Sequence, residues 1–318
     1  MSEMPIITAR LDEDGALELT KPCANDGTHI RYCYPWDGHR LLFIQGEYLA
    51  PIEPSPGLEV RFRLFSGRKG ISEMQSFTFP CEMGEQKLLP TTMIPRTQNR
   101  DFMAYDWGAR HRAVCATVSQ RKPKLVLLGD SITHFWGGDP VDPPLLDYVR
   151  MAPDIWDDCM SGLSCVNLGF GNDRIENALW RVLHGELDGT HPEALCCLLI
   201  GTNNFSENTN AEITEGLCHL CEMIKNRLPH GKLLIQGIYP RGEVGSDTRN
   251  RMNELNETWR RLPLLDGHQV FYHDTGACLL RSDGTLKDGV SRDGVHPSRA
   301  GYGLIAQELA PQLKNILF

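Results

Sequence analysis

The chain has 318 residues, 41% of them hydrophobic and 23% charged, with a formal net charge of -9. That length suits two domains, and the composition is that of a soluble globular protein with ample material for a core. An acidic chain with no Lys/Arg-rich run is a poor match for nucleic acid or an anionic membrane, so neither is expected as a partner.

The opening residues, Met1 to Gly15, lack a basic segment followed by an apolar run, so no signal peptide is expected. The longest apolar stretch, Ala194 to Ile200, is far too short to span a bilayer. The 11 cysteines are an odd count, and Cys196 and Cys197 sit inside an apolar run as small buried hydrophobes. A reducing, cytoplasmic setting is the expectation.

In chain order, the first hundred residues read as β structure. Leu58, Val60, Phe62 and Leu64 alternate with Glu59, Arg61 and Arg63, a period of two, and Phe77, Phe79 and Cys81 repeat the pattern. Residues 29–35 and 40–49 are also strand-like, with turn signals at Asp37-Gly38 and Pro54-Ser55-Pro56-Gly57. A small antiparallel β-sandwich over residues 1–104 is expected. From about Asp106 to Ser119 the pattern is helical. A short apolar strand, Leu125 to Leu128, then runs into Gly129-Asp130-Ser131. Further strands are expected at 165–170, 194–201, 232–239 and 269–274. Between them, Ile175, Leu179, Val182 and Leu183 form one helical stripe. Ile213, Leu217, Leu220, Cys221, Ile224 and Leu228 form another, preceded by a capping box at Thr209 and Glu212. Leu304, Leu309, Leu313 and Leu317 mark a closing helix. Five apolar strands alternating with helices over residues 105–318 predict an α/β fold with a doubly wound, flavodoxin-like, parallel five-stranded sheet. Ligands of such sheets bind beyond the carboxyl ends of the strands.

The chemistry-bearing residues fall at those ends. Ser131 follows the first strand, where a serine at a strand-to-helix turn exposes its hydroxyl beside the turn's own N–H groups; on position alone the helix-cap reading is favoured. Asn167 to Asp173 follows the second strand, with Gly169 and Gly171 permitting close backbone approach. Asn203, after the third, carries an amide able to donate to an oxyanion. Asp293 and His296 follow the last strand. An Asp and a His three apart on a tight turn let the carboxylate bond Nδ1–H and leave Nε2 as a base. Each signal is weak alone; four at one edge of one sheet, in the chain order Ser, Asp, His, suit a hydrolase.

These segments resemble the conserved blocks of the SGNH/GDSL hydrolase superfamily: Gly129-Asp130-Ser131-Ile132-Thr133, Gly201-Thr202-Asn203-Asn204 and Asp293-Gly294-Val295-His296. The resemblance covers about 60% of the chain, from Lys124 onward. Gly201-Thr-Asn-Asn, Tyr239-Pro-Arg-Gly-Glu243 and Ala178-Leu-Trp-Arg-Val182 look most like platelet-activating-factor acetylhydrolase subunits and bacterial carbohydrate acetylesterases. The resemblance implies a serine esterase without cofactor or metal. Its triad would be Ser131, Asp293 and His296, with an oxyanion hole from the N–H of Ser131, a backbone N–H of Gly171 or Asn172, and the Asn203 side chain. The family usually has glycine immediately before the Asp of its second block; here that residue is Asn172. Asp130, Phe135 and Trp136 are candidates for the substrate pocket.

The substrate expected from the resemblance is a short acyl ester, acetyl above all, of a sugar or small alcohol. Two rivals are a lipid or thioester hydrolase with the same triad and a catalytically silent carbohydrate-binding protein. Acid–base glycosidase chemistry lacks a second acid to pair with Asp293. The N-terminal domain could bind carbohydrate, form homo-oligomer contacts or simply support the catalytic domain. Cys218-His219-Leu220-Cys221 is half of a zinc pattern without its second pair. Neither a G-x-S-x-G elbow, a P-loop nor a dinucleotide fingerprint is present.

Overall fold

The computed structural model describes residues 6–13, 15–22, 27–33, 46–52, 58–67, 69–80, 89–98, 105–141 and 150–318. The chain forms two compact units, one of Met1–Leu89 with Ile94–Met103, the other of Pro90–Met93 with Ala104–Phe318.

The first unit is antiparallel. A hairpin pairs β1 (Thr8–Leu11) with β2 (Leu17–Thr20), and a second sheet runs in the order β4 (Gly46–Glu47), β3 (Thr28–Cys33), β5 (Glu59–Ser66) and β6 (Lys69–Gly70), with β7 (Gln75–Thr78) also on β5. The alternation along β5 has its physical cause here. Val60, Phe62 and Leu64 point into one apolar core with Ile7, Leu17, Leu19, Ile30, Tyr32 and Phe79, while Glu59, Arg61 and Arg63 stay half-exposed. Residues 40–45, Cys81 and both turn signals lie outside the described residues.

In the second unit β8 (Leu125–Gly129), β9 (Cys165–Gly169), β10 (Leu195–Leu199), β11 (Lys232–Gln236) and β12 (Val270–His273) form one sheet in the order β12-β11-β10-β8-β9. All four pairings are parallel. The order reverses between β8 and β10, which makes the edge beyond these two strands the topological switch point. The crossovers carry α1 (Trp107–Arg121), α2 (Ser131–His134), α3 (Pro153–Cys159), α4 (Ile175–Leu183), α5 (Asn210–Arg227), α6 (Asp247–Trp259) and α7 (Arg299–Leu317). Most of the expected strands and helices stand where the apolar pattern put them. The capping box of α5 is formed in both directions, Glu212 N–H to Thr209 Oγ1 at 3.2 Å and Thr209 N–H to Glu212 Oε2 at 2.7 Å. Cys196, Cys197 and Cys221 are buried, Cys221 on the apolar face of α5. The segment 90–93 goes with the second unit because Thr92 donates to the Glu212 carbonyl (2.7 Å) and packs against Gly216, where a Cβ would overlap it.

Register decides where the loops emerge. Gly129 stands level with Gly169 on one side and Leu199 on the other, so β8, β9 and β10 end together. Both glycines are required by close approach rather than by dihedral angle. A Cβ on Gly129 would overlap Thr133 Oγ1 and the Leu199 carbonyl, and one on Gly169 would overlap the backbone of His134. The short helix α2 therefore lies directly on the strand ends.

Beneath that edge lies a buried charge network. Arg181 of α4 is fully buried. It reaches Asp173 Oδ2 (2.7 Å), Glu186 Oε2 (2.5 Å) and the main-chain oxygens of Leu168 (3.1 Å) and Gly129 (3.2 Å), with its guanidinium 4.0 Å from the Phe170 ring centre. Asp173 also accepts from Trp107 Nε1 (2.8 Å), and Glu186 pairs with His111 Nδ1 (2.9 Å). Burial disfavours the arginine's charge, but Glu186 and Asp173 hold its pKa above the ordinary value. Removing the cation strands two buried carboxylates. Arg181→Met is expected to cost about 3–5 kcal/mol of stability by urea unfolding; a loss under about 1 kcal/mol would contradict this reading.

Candidate active site

Ser131 is the first residue of α2, and the Asp130 side chain caps that helix by accepting from Ile132 N–H (2.9 Å). Two contacts fix this turn from opposite sides. The Asn167 amide on β9 donates to the carbonyls of Thr133 (2.8 Å) and Gly137 (2.6 Å) while its Oδ1 accepts from Gly169 N–H (2.7 Å). From α7, Tyr302 donates its hydroxyl to the Ile132 carbonyl (2.6 Å).

The last predicted pair meets Ser131 across a sequence separation of 165 residues: Ser131 Oγ lies 2.9 Å from His296 Nε2. Behind the ring, His296 Nδ1 is 2.8 Å from Asp293 Oδ2. The loop is tightened by its own hydrogen bonds, with Asp293 Oδ1 accepting from the N–H of Val295 (3.0 Å) and of His296 (2.8 Å) and Arg292 N–H donating to the His296 carbonyl (2.9 Å). Partial burial tends to raise the Asp293 pKa, but the His296 N–H, the imidazole and the Val295 N–H hold it below the ordinary value. An ionised carboxylate thus faces Nδ1, which keeps the proton there and leaves Nε2 toward the serine.

The second- and third-strand loops are tied to each other. The Asn203 amide donates to the Asp173 main-chain oxygen (2.9 Å), and its second N–H has no partner among the described residues. Arg174 returns the link, with Nε on the Asn203 carbonyl (3.0 Å) and a bidentate pair to Glu207 (2.9 and 2.6 Å). Asn204 accepts from Ile175 N–H (3.1 Å) and donates to Glu176 (2.9 Å). Asn172 stands in the left-handed region, φ 62°, a conformation asparagine tolerates better than most residues. The Gly171 N–H donates to His134 Nδ1 (3.1 Å).

The three pocket candidates part company. Phe135 is half-buried, its ring centre 5.2 Å from that of His296. Trp136 turns to the core. It is buried in the core, stacked on Tyr302 at 5.4 Å and edge-on to Trp156 at 5.5 Å, because a further residue of helical turn swings its side chain toward α7. Asp130 is 1% exposed, so it lies beneath the serine rather than lining a cleft. Its Oδ2 has no hydrogen-bond partner among the described residues.

The profile of the GDSL-like lipase/acylhydrolase family matches residues 127–304, a span that takes in all four blocks of this site. The chain belongs to that family. Human platelet-activating factor acetylhydrolase IB subunit alpha1 is 27% identical over 212 residues, covering 66% of this chain and 84% of its own length. The human alpha2 subunit is likewise 27% identical, with 85% of its length covered. A proposed acylhydrolase from Bacteroides fragilis superposes with a TM-score of 0.52 at 20% identity, over 67% of this chain and 99% of its own; that likeness is one of fold. Membership makes the protein an acylhydrolase or esterase at the family level.

Sequence reasoning missed the supports of this GDSL site: Arg181, Glu186, Arg174, Glu207, Tyr302 and His134. One signal was present. Arg181 sits between Trp180 and Val182 in a helix buried on nearly every side, and an arginine there must be answered by partners.

Asp130 gives a testable consequence. Burial pushes its carboxyl up to about 7, helped by the nearby Asp173 and opposed by the Ile132 N–H, Arg241 and Arg181. The unfolded value is near 3.8. Between the two the folded state binds the proton more tightly, so this contribution to stability is full at low pH and is lost as pH rises to about 7. Asn keeps the cap and cannot ionise. Asp130→Asn should gain on the wild type in unfolding free energy between pH 4 and 7, on the order of a few kcal/mol. Parallel pH profiles would contradict it.

Proposed function

We propose that this GDSL protein hydrolyses short-chain esters, acetyl esters above all, of a carbohydrate or small alcohol through a Ser131 acyl-enzyme. The observation that carries this reading is the unbroken relay from Asp293 to His296 to Ser131, with contacts of 2.8 and 2.9 Å. His296 Nε2 takes the Oγ proton as the serine attacks the ester carbon. The tetrahedral oxyanion is held by the Ser131 N–H, the N–H at Asn172 and the second side-chain N–H of Asn203. Collapse expels the alcohol, which receives its proton from His296. Water, deprotonated by the same imidazole, then releases the acid. Asp293 orients the ring and offsets its charge in both steps.

The acetyl preference is supported by the names of the human relatives, which are acetylhydrolases. Those names also favour a second reading, in which the alcohol is a lipid such as platelet-activating factor. A reducing compartment belongs to the proposal, supported by the described cysteines, all free thiols.

One kinetic panel tests both parts. With p-nitrophenyl esters, kcat/KM should fall steadily from acetyl to octanoyl. On the acetyl ester, Ser131→Ala should lose activity by on the order of 10^4-fold or more, and Asp293→Asn by about 10^3- to 10^4-fold. A rise with chain length would replace the acetyl reading by the lipid one; an unimpaired Ser131→Ala would sink the mechanism.

A further inference from the structure

Two residues outside the four blocks grip the loop that supplies the backbone oxyanion donor. Gly171 is held at both of its polar atoms. Its N–H donates to His134 Nδ1 at 3.1 Å, and its carbonyl accepts from the Tyr105 hydroxyl at 2.9 Å. The rings of the two clamps meet edge to face, 4.9 Å apart at 82°, and Tyr105 also packs edge-on to Phe170 at 6.5 Å. His134 is 4% exposed and belongs to α2, the same turn that begins with Ser131. The loop is thus referenced directly to the nucleophile's own helix.

The two bonds define two consecutive peptide planes. The bond to His134 orients the plane between Phe170 and Gly171. The bond from Tyr105 orients the plane between Gly171 and Asn172. A trans peptide is planar, with its C=O and N–H pointing in opposite directions. With the Gly171 carbonyl drawn to Tyr105, the Asn172 N–H is directed the opposite way. The left-handed φ of Asn172, 62°, then turns the chain into Asp173, whose carbonyl is bonded by the Asn203 amide. The Gly171 N–H is already engaged. Because that N–H can only donate, His134 Nδ1 must be unprotonated, which fixes the ring as its Nε2–H tautomer.

We propose that His134 and Tyr105 are positioning residues that fix both peptide planes of Gly171 and so select the N–H of Asn172, rather than that of Gly171, as the backbone donor to the ester oxyanion. This rests on the esterase reading above. It also accounts for an asparagine serving where the family usually has glycine: the donor is the main chain, and its direction is set by the residue before it.

The test is steady-state kinetics on p-nitrophenyl acetate with Tyr105→Phe, His134→Leu and His134→Asn. Rates are normalised to sites titrated by a fluorophosphonate, so that misfolded protein is not counted. Asn places an oxygen acceptor close to where Nδ1 stood; Leu does not. Loss of either clamp should lower kcat about 10- to 100-fold with KM nearly unchanged, as expected for a donor moved by a fraction of an ångström. His134→Asn should recover most of the loss. Kcat within about 2-fold of wild type in both Tyr105→Phe and His134→Leu would overturn the assignment, as would His134→Asn being as impaired as His134→Leu. A wild-type protein inert toward every ester, acetyl to octanoyl, would overturn the esterase reading itself and the assignment with it.

Discussion

A guanidinium sealed from water must be answered by protein groups, and Arg181 is answered at the point where two strands end. One side chain binds the carbonyls of Gly129 and Leu168 and the carboxylates of Asp173 and Glu186. It therefore links the last residue of β8, the end of β9 and the loop beyond β9. Such a network is not the most economical route to stability, since burying charge is costly. What it provides is definition. The two strand ends that carry Ser131 and the Gly171–Asn172 turn cannot shift independently while their carbonyls share one cation.

The surrounding contacts extend that definition outward. Asn167 holds α2 onto β9, Tyr302 holds it from α7, and Arg174 with Asn203 closes the gap between the second and third loops. The two aspartates near the serine are held in contrasting environments. Asp130, sealed beneath α2, has its carboxyl raised toward neutrality. Asp293, half-open and given N–H donors by its own loop, is kept ionised below its usual range. The capping carboxyl is thus discouraged from charging beside the nucleophile, whereas the one behind His296 is ready to answer an imidazolium. This separation of two carboxyls by environment is a recurrent way of assigning roles in hydrolytic sites.

Much of this was legible in the sequence, for identifiable reasons. Strands buried on both faces write themselves as short apolar runs, and β8 and β10 are of that kind. Chemistry after successive strands follows from topology, which is why the sequence puts Ser131, Asn203, Asp293 and His296 at one edge of the sheet. Elsewhere the pattern was too thin. Helix α6 turns few apolar residues inward, chiefly Met252, Leu255 and Trp259, and its polar remainder hid it. Adjacency in sequence does not give direction, so Trp136 reads like its neighbour Phe135 although its ring packs on Tyr302 and Trp156 in the core. The sequence does not separate Gly171 from Asn172 as donors, because the bond that engages the Gly171 N–H comes from His134, a residue with no mark of its own in the sequence. Arg181 announced itself by standing in an apolar helix, but nothing there showed that main-chain oxygens would answer it.

The central claim is that Ser131 is a nucleophile activated by His296 at this edge, rather than a capped helix residue. Intact-mass and peptide mapping after brief exposure to a fluorophosphonate tests it most directly. A single covalent adduct on the peptide bearing Ser131, formed quickly in the wild type and far more slowly in His296→Ala, is the predicted result. An adduct on another residue, or labelling of Ser131 at the same rate without His296, would contradict it.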